Sequence, residues 1–297
     1  MLIMNTLITL LTICVVVIIY MHVVFQLTTS NDLEIFEVDT PSKIKLEEVC
    51  NLRQPFLFFY QDDSLSIFPK LTEYKTFDVT VYDASYNSSK VALNNAFQLF
   101  DKKNYISIHN SDFLQETMLS RHFITTNAYL RPPMVTSVVY DVMIGAEGST
   151  TRLEYSTYYR NYFYVSNGSI TVKLTPPKNE QYLNVEKDYA KQCYFSTVHP
   201  WNNTLDKVKF LELTLVKGQM LFIPAYWWYS IKFEKESCVC TFQYKTVMNI
   251  IATLPDTCMG ILQRQNTKTK LKLTPSFHVN PSSSDVSRTS GDPDGRQ

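Results

Sequence analysis

No Asp, Glu, Lys or Arg occurs before Asp32. From Leu2 to Leu27 the chain is almost wholly apolar, and Leu, Val and Ile dominate the stretch Leu10–Tyr20. A helix of that length, rising about 1.5 Å per residue, covers a hydrocarbon core of roughly 30 Å. His22 lies near the end of the run, within reach of the interface, and Tyr20 and Phe25 suit the headgroup level. A cleaved signal peptide fits less well, because there is no basic leading region, the run is long, and no small-x-small site succeeds it. Residues 2–27 are therefore expected to be a single-pass anchor, which makes a membrane the first expected partner and location. The far flank carries Asp32, Glu34 and Glu37 before its first base, Lys43, which mildly favours a non-cytoplasmic side for the rest of the chain.

The chain beyond the apolar run is long enough for one large domain, and no internal repeat suggests a solenoid. Tyr occurs 19 times and Phe 18 times against only 7 Gly, a profile suited to a packed, strand-rich core. Acidic and basic residues balance at 28 each, so no net field draws nucleic acid, and none is expected as a partner. Outside the apolar run five cysteines remain: Cys50, Cys193, Cys238, Cys240 and Cys258. Their odd number leaves the compartment open. The sequons at Asn87, Asn167 and Asn202 matter only in a secretory lumen.

Along the chain, residues 28–51 read as a polar link and a short helix over Lys43–Asn51. Phe56–Tyr60 is an apolar run of strand length, and Thr76–Tyr82 alternates as a strand does. Residues 87–103 read as a loop and a helix, and Ser111–Ser120 as a helix with Ser111 as its cap. From Met134 the pattern is β throughout: Val135–Ile144, Thr151–Tyr155, Asn161–Ser166, Ser169–Leu174, Phe210–Leu215, Met220–Ile223, Tyr229–Phe233 and Val239–Tyr244. Asn167-Gly168 is a hairpin signal, because both residues tolerate positive φ. Val216-Lys217-Gly218-Gln219 marks a second turn. The expected organisation is an anchor (2–27), a link (28–51), an all-β domain with flanking helices (52–247), a helical segment split at Pro255 (248–275) and a disordered tail (276–297).

Two stretches carry a resemblance. Leu215-Val-Lys-Gly-Gln-Met-Leu-Phe-Ile-Pro-Ala-Tyr-Trp-Trp-Tyr229 is similar to the closing strand pair of cupin-like JmjC domains. Leu153-Glu-Tyr-Ser156, with Asn161, Gly168 and Pro176-Pro177, resembles the family's first ligand block. The resemblance implies a double-stranded β-helix, or jelly roll, over about residues 52–247. Thr29–Glu37 with Asn51–Pro55, Tyr159–Phe163 and Pro224–Tyr229 also resemble membrane-anchored cupin-like proteins of giant (nucleocytoplasmic large DNA) viruses. That likeness implies a host or virion membrane.

In the family, two His and one carboxylate hold Fe(II), with positions left open for 2-oxoglutarate and oxygen. By resemblance those ligand positions here are Glu154, Ser156 and Tyr229, and the cosubstrate's Lys position is Ile170. With Asn161 these residues make a degenerate pocket, so no catalytic residue, metal or cofactor is assigned, and the expected role is binding or structural. Glu154 and Ser156 alternate on one strand and are expected to face inward together with Tyr229 as a hydrogen-bonded triad. The alternative is an Fe(II)/2-oxoglutarate dioxygenase with displaced ligands, His199 among them. A further alternative is a carbohydrate-binding module using Tyr155, Trp227 and Trp228 as ligand-lining rings, with a glycan or protein partner. Cys238 and Cys240 read as buried free thiols, His109 and His122 as structural or surface residues, and the run Tyr155, Tyr158, Tyr159, Tyr162 and Tyr164 as packing.

Overall fold

A computed structural model describes residues 2–102, 104–202 and 207–265. The end of the expected helical segment and the whole expected tail lie outside the described residues. The elements run α1 (Leu2–Leu27), β1 (Phe36–Val38), α2 (Lys43–Asn51), β2 (Phe56–Phe59), α3 (Phe68–Leu71), β3 (Asp78–Tyr82), β4 (Ser88–Ala92) and α4 (Leu93–Phe100). Then come β5 (Ile106–Ser107), α5 (Ser111–Glu116), α6 (Ile124–Leu130), β6 (Val135–Gly145), β7 (Glu154–Tyr155), β8 (Arg160–Asn167) and β9 (Ser169–Thr175). The rest are β10 (Val185–Asp188), β11 (Cys193–Ser196), β12 (Leu211–Val216), β13 (Gln219–Pro224), β14 (Trp228–Phe233), β15 (Cys238–Thr246), α7 (Val247–Ala252) and α8 (Leu254–Gln265).

Two sheets result. The larger has the order β1-β2-β13-β8-β15-β6-β5-β3-β4 and the smaller β10-β11-β7-β14-β9-β12. From β6 to β9 the chain alternates between the larger and the smaller sheet, and it does so again from β12 to β15 in the opposite sense. Period-2 alternation then fills the space between them. Phe163, Val165, Leu221 and Ile223 meet Ile170, Val172, Leu174, Ile231 and Phe233, all 0–2% exposed. Each such side chain contributes roughly 1.5–3 kcal/mol by leaving water. Gly145 sits where a Cβ would run into the Phe233 ring, so the missing side chain is a packing requirement.

The outer face of the larger sheet presents Phe56, Phe58, Tyr162, Phe222, Cys240 and Tyr244 to Leu46 of α2, Leu93 and Ala96 of α4, Phe113 and Leu114 of α5 and Leu130 of α6. This helical layer buries a face that would otherwise be exposed apolar surface. Cys238 and Cys240 are free thiols in it. On the outer face of the smaller sheet Tyr155, Tyr194 and Trp228 pack together with Leu153 and Leu183.

Several expectations need correction. β4 replaces part of the expected loop, and β10 and β11 form where no strand was expected. These strands are short and charged or edge-bound, so their pairing comes from tertiary contact rather than from an apolar pattern. The Thr151–Tyr155 strand shrinks to Glu154–Tyr155. α5 is capped by Asn110 without a side-chain bond, so Ser111 lies inside it. The break in the C-terminal helices falls at Thr253, with Pro255 in the first turn of α8, where its missing N–H has no intrahelical acceptor. In the Asn167-Gly168 turn only Gly168 has positive φ, while the Asn167 amide donates to Glu236 O at 2.8 Å.

Residues 28–42 are not a free link. Trp227 Nε1 donates to Ser30 O (3.1 Å), Gln54 Nε2 to Glu34 O (3.2 Å), and β1 pairs in parallel with β2. Arg53, buried and at φ +54°, donates to the carbonyls of Phe25 and Gln26 and stacks on the Phe25 ring. A cation on those last carbonyls suits the negative end of the α1 dipole. α1 is long and apolar enough to cross a membrane, and its C-terminal end is fastened to the domain.

Candidate functional site

β7 and β14 bring two residues singled out by the resemblance, Glu154 and Tyr229, face to face. Glu154 pairs in register with Tyr229, and Tyr155 with Trp228. The Tyr229 hydroxyl donates to Glu154 Oε1 at 3.2 Å, and its ring packs edge-on against Phe163 at 5.1 Å. Ile170 is fully buried in the apolar layer between the sheets. Its side chain offers no charge to a carboxylate, and neither do its neighbours in that layer.

Burial raises the Glu154 carboxyl above the ordinary carboxylate range, against the opposing pull of His109, the Tyr229 hydroxyl and Arg152. Burial and Glu154 together hold the Tyr229 phenol well above its usual value. Cys193 is pushed up to about 12 by burial and by Glu154. The pocket therefore favours neutral groups.

Ser156 does not join the pair. β7 ends at Tyr155, so strand alternation no longer governs Ser156, and its Oγ accepts from Tyr158 N at 3.2 Å. The expected triad is a pair. Asn161 is buried on β8, with its amide nitrogen donating to Ile223 O (3.1 Å) and Tyr158 O (3.3 Å). Its contacts tie β8 to β13 and the turn before it, and none of them is to Glu154 or Tyr229.

The three expected ligand-lining rings also need correction. Trp227 and Trp228 are fully buried and Tyr155 is 9% exposed. Tyr155 stacks on Tyr194 at 4.9 Å and meets Trp228 edge-on at 4.8 Å, so these rings are core. Tyr162 and Tyr164 of the same Tyr-rich run are buried as well.

Near the pair, Arg152 and Tyr86 went unread in the sequence, and His109 was read only as a structural or surface residue. Arg152 lies two positions before Glu154, with its guanidinium 3.9 Å from the Tyr86 ring centroid and 4.5 Å from that of Phe195. The Arg152 N–H donates to the Tyr86 hydroxyl. His109 adopts φ +61° because Asp141 accepts its N–H at 2.8 Å and that of Asn110 at 2.5 Å, and its Nδ1 lies 3.1 Å from Tyr82 Oη. The two-residue spacing of Arg152 and Glu154 was a readable signal. The approach of His109 and Tyr86 depends on long-range folding.

Outside the pair lies a groove of about 770 Å³ lined by Tyr86, Arg152, Phe195, His199, Trp201 and Lys232, among others. Glu154 and Tyr229 do not line it. His199 stands here, 3.4 Å from Thr150 Oγ1, so it does not replace a ligand beside Glu154. Trp201 donates to Ser230 Oγ at 2.8 Å, with Lys173 Nζ 4.7 Å above its ring.

An Fe(II) site needs three protein ligands on one face and open positions opposite. Here one carboxylate is bonded to a phenol, the third position is turned away, and the cosubstrate position is aliphatic. Among the described residues no three His, Cys, Asp or Glu side chains form a group able to hold a metal ion. The residues present do not fit Fe(II) and 2-oxoglutarate. No curated protein matches the sequence. A family model for the cupin-like domain matches residues 47–249, which is more than half the chain. The chain belongs to the cupin-like domain family.

Proposed function

We propose that this chain is a membrane-tethered cupin-like domain that serves as a binding or structural protein and carries out no oxygenase chemistry. One observation carries this reading: Glu154 and Tyr229 hydrogen-bond to each other where a metal's first and last ligands stand in JmjC-like relatives. On this reading the two sheets are a double-stranded β-helix whose strand alternation is retained while its ligand set is lost. Organisation into an anchor (2–27), a link (28–51), a cupin-like domain (52–247) and a C-terminal helical segment belongs to the same reading. α1 supplies the tether, supported by its length, its apolarity and the cap that Arg53 places on its end. On the likeness of three sequence stretches to giant-virus proteins, the membrane is a host or virion membrane.

The test uses the full chain in detergent, supplied with Fe(II), 2-oxoglutarate and oxygen, with succinate as the readout. The expected rate equals that of Glu154→Ala. Succinate formation lost in Glu154→Ala would overturn the proposal. The carbohydrate reading gains no support from Tyr155, Trp227 and Trp228, which are core side chains.

A further inference from the structure

α7 and α8 succeed one another across Thr253, with Thr253 N donating to Asn249 O (2.9 Å) and Thr257 N to Thr253 O (3.1 Å). At 3.6 residues per turn, Val247, Ile250, Ile251, Leu254, Cys258, Ile261 and Leu262 fall within about 120° of one another. In a helix docked on a globular domain this stripe would face the core. Here it faces out: Leu254 and Ile261 are each 53% exposed and Leu262 61%.

The docked side is the polar one. Asn249 donates to Thr157 O (3.0 Å), Asp256 accepts from Tyr194 Oη (3.3 Å), and Gln263 bonds both Ala190 N (3.2 Å) and Asp188 Oδ1 (3.3 Å). Gly260 lets α8 approach so closely that a Cβ there would lie 2.6 Å from Tyr189 O. These polar contacts and the close glycine approach fix the helix with its apolar side away from the protein.

The stripe starts on α7, beside α1. α7 packs against α1, and a cleft of about 450 Å³ between that helix's last turns and the domain is lined by Met21, Phe25, Met134 and Met248. Met134, 67% exposed, stands beside this junction. Arg264 adds to the docked side by donating to Ala190 O at 2.7 Å.

We infer that the outward apolar stripe of α7 and α8 lies in the headgroup layer of the same bilayer that α1 enters, so that the domain is clamped to the lipid surface along this helix pair. The inference rests on the reading of α1 as a membrane span. An apolar stripe on one side of a helix, adjoining a spanning helix, suits binding in the plane of the interface.

Cys258, exposed on the stripe, supplies the probe. The full chain carrying Cys14→Ser and Cys193→Ser is labelled at Cys258 with an environment-sensitive fluorophore and reconstituted in phosphatidylcholine–phosphatidylserine vesicles. Quenching by nitroxide-bearing lipids reports contact with the bilayer, and iodide reports water. The expected label is quenched by lipid and shielded from iodide, whereas a label at Lys217→Cys, in the turn at the far end of β13, responds to iodide. Adding Leu254→Asp and Ile261→Asp should return the Cys258 label to the iodide response of that control.

Parallel labelling of Cys14 in a Cys258→Ser, Cys193→Ser chain separates the two ways to fail. A lipid-quenched Cys14 label with an iodide-accessible Cys258 label would leave the anchor standing and overturn the clamp. An iodide-accessible Cys14 label would overturn both. A Cys258 label shielded from lipid and water alike, with Cys258–Cys258 crosslinking between chains, would assign the stripe to a second copy and overturn the clamp.

Discussion

Between β7 and β14, the polar side chains of Glu154 and Tyr229 are turned on each other. Tyr229 donates to Glu154, and Phe163 packs edge-on against the Tyr229 ring. On the helical flank the arrangement is reversed: Asn249, Asp256 and Gln263 are directed at the protein, and Leu254, Ile261 and Leu262 are left facing out. Glu154 and Tyr229 satisfy each other inside the domain, whereas the flank leaves its apolar surface unmatched by protein. On the proposed reading, interaction takes place at the outside of the domain.

The contrast can be broken most severely from the core. Trp228→Ala removes a fully buried indole from its contact with Tyr155, and large-to-small changes of this kind cost about 3–5 kcal/mol. Chemical denaturation of the detergent-solubilised chain should show that loss. Arg53→Ala removes the charged donor to the Phe25 and Gln26 carbonyls, at a cost of about 2 kcal/mol for hydrogen bonds to a charged group. Limited proteolysis should then cut between residues 26 and 32, where the parent chain resists.

Glu154→Gln sharpens the comparison by pH. Burial raises the folded carboxyl, so the protonated form stabilises the fold. That contribution is fully present below the ordinary carboxylate pKa and is lost as pH rises through the raised folded value. The parent chain should lose stability across that window, and Glu154→Gln should flatten the loss while changing stability at acidic pH, where the parent carboxyl is protonated, by no more than about 1 kcal/mol. Denaturation midpoints measured across acidic to neutral pH decide this. The smallest effect is expected on the flank. Leu254→Ser, at a half-exposed site, should change stability in detergent by less than about 0.5 kcal/mol, as thermal unfolding would show.

Much of this molecule is written in local pattern. The uncharged run before Asp32 forms α1, Lys43–Asn51 forms α2 over those residues, and the alternating runs after Met134 become β6, β8, β9 and β12 to β15. The cupin-like segment was legible because Gly218, Leu221, Ile223 and the Trp pair are tied to one strand–turn–strand geometry. β10 and β11 were not legible, since Glu186, Lys187 and Asp188 gain strand pairing only from their neighbours. The site was half legible. The pairing of Glu154 with Tyr229 came from inherited positions, but Ser156 left the group because its strand ends one residue earlier. The ring assignments failed because aromatic residues at a barrel rim and in its outer core carry the same local signature. The inverted polarity of α7 and α8 was invisible in the sequence, where the stripe alone reads as core.

Metal stoichiometry of the purified full chain, loaded without oxygen with Fe(II), Zn(II) or Mn(II), tests the central claim most directly. The account predicts that no metal is retained at one equivalent, and that Glu154→Ala and Tyr229→Phe match the parent. One equivalent retained by the parent and lost in both variants would contradict it, and would make the Glu154–Tyr229 pair a ligand set.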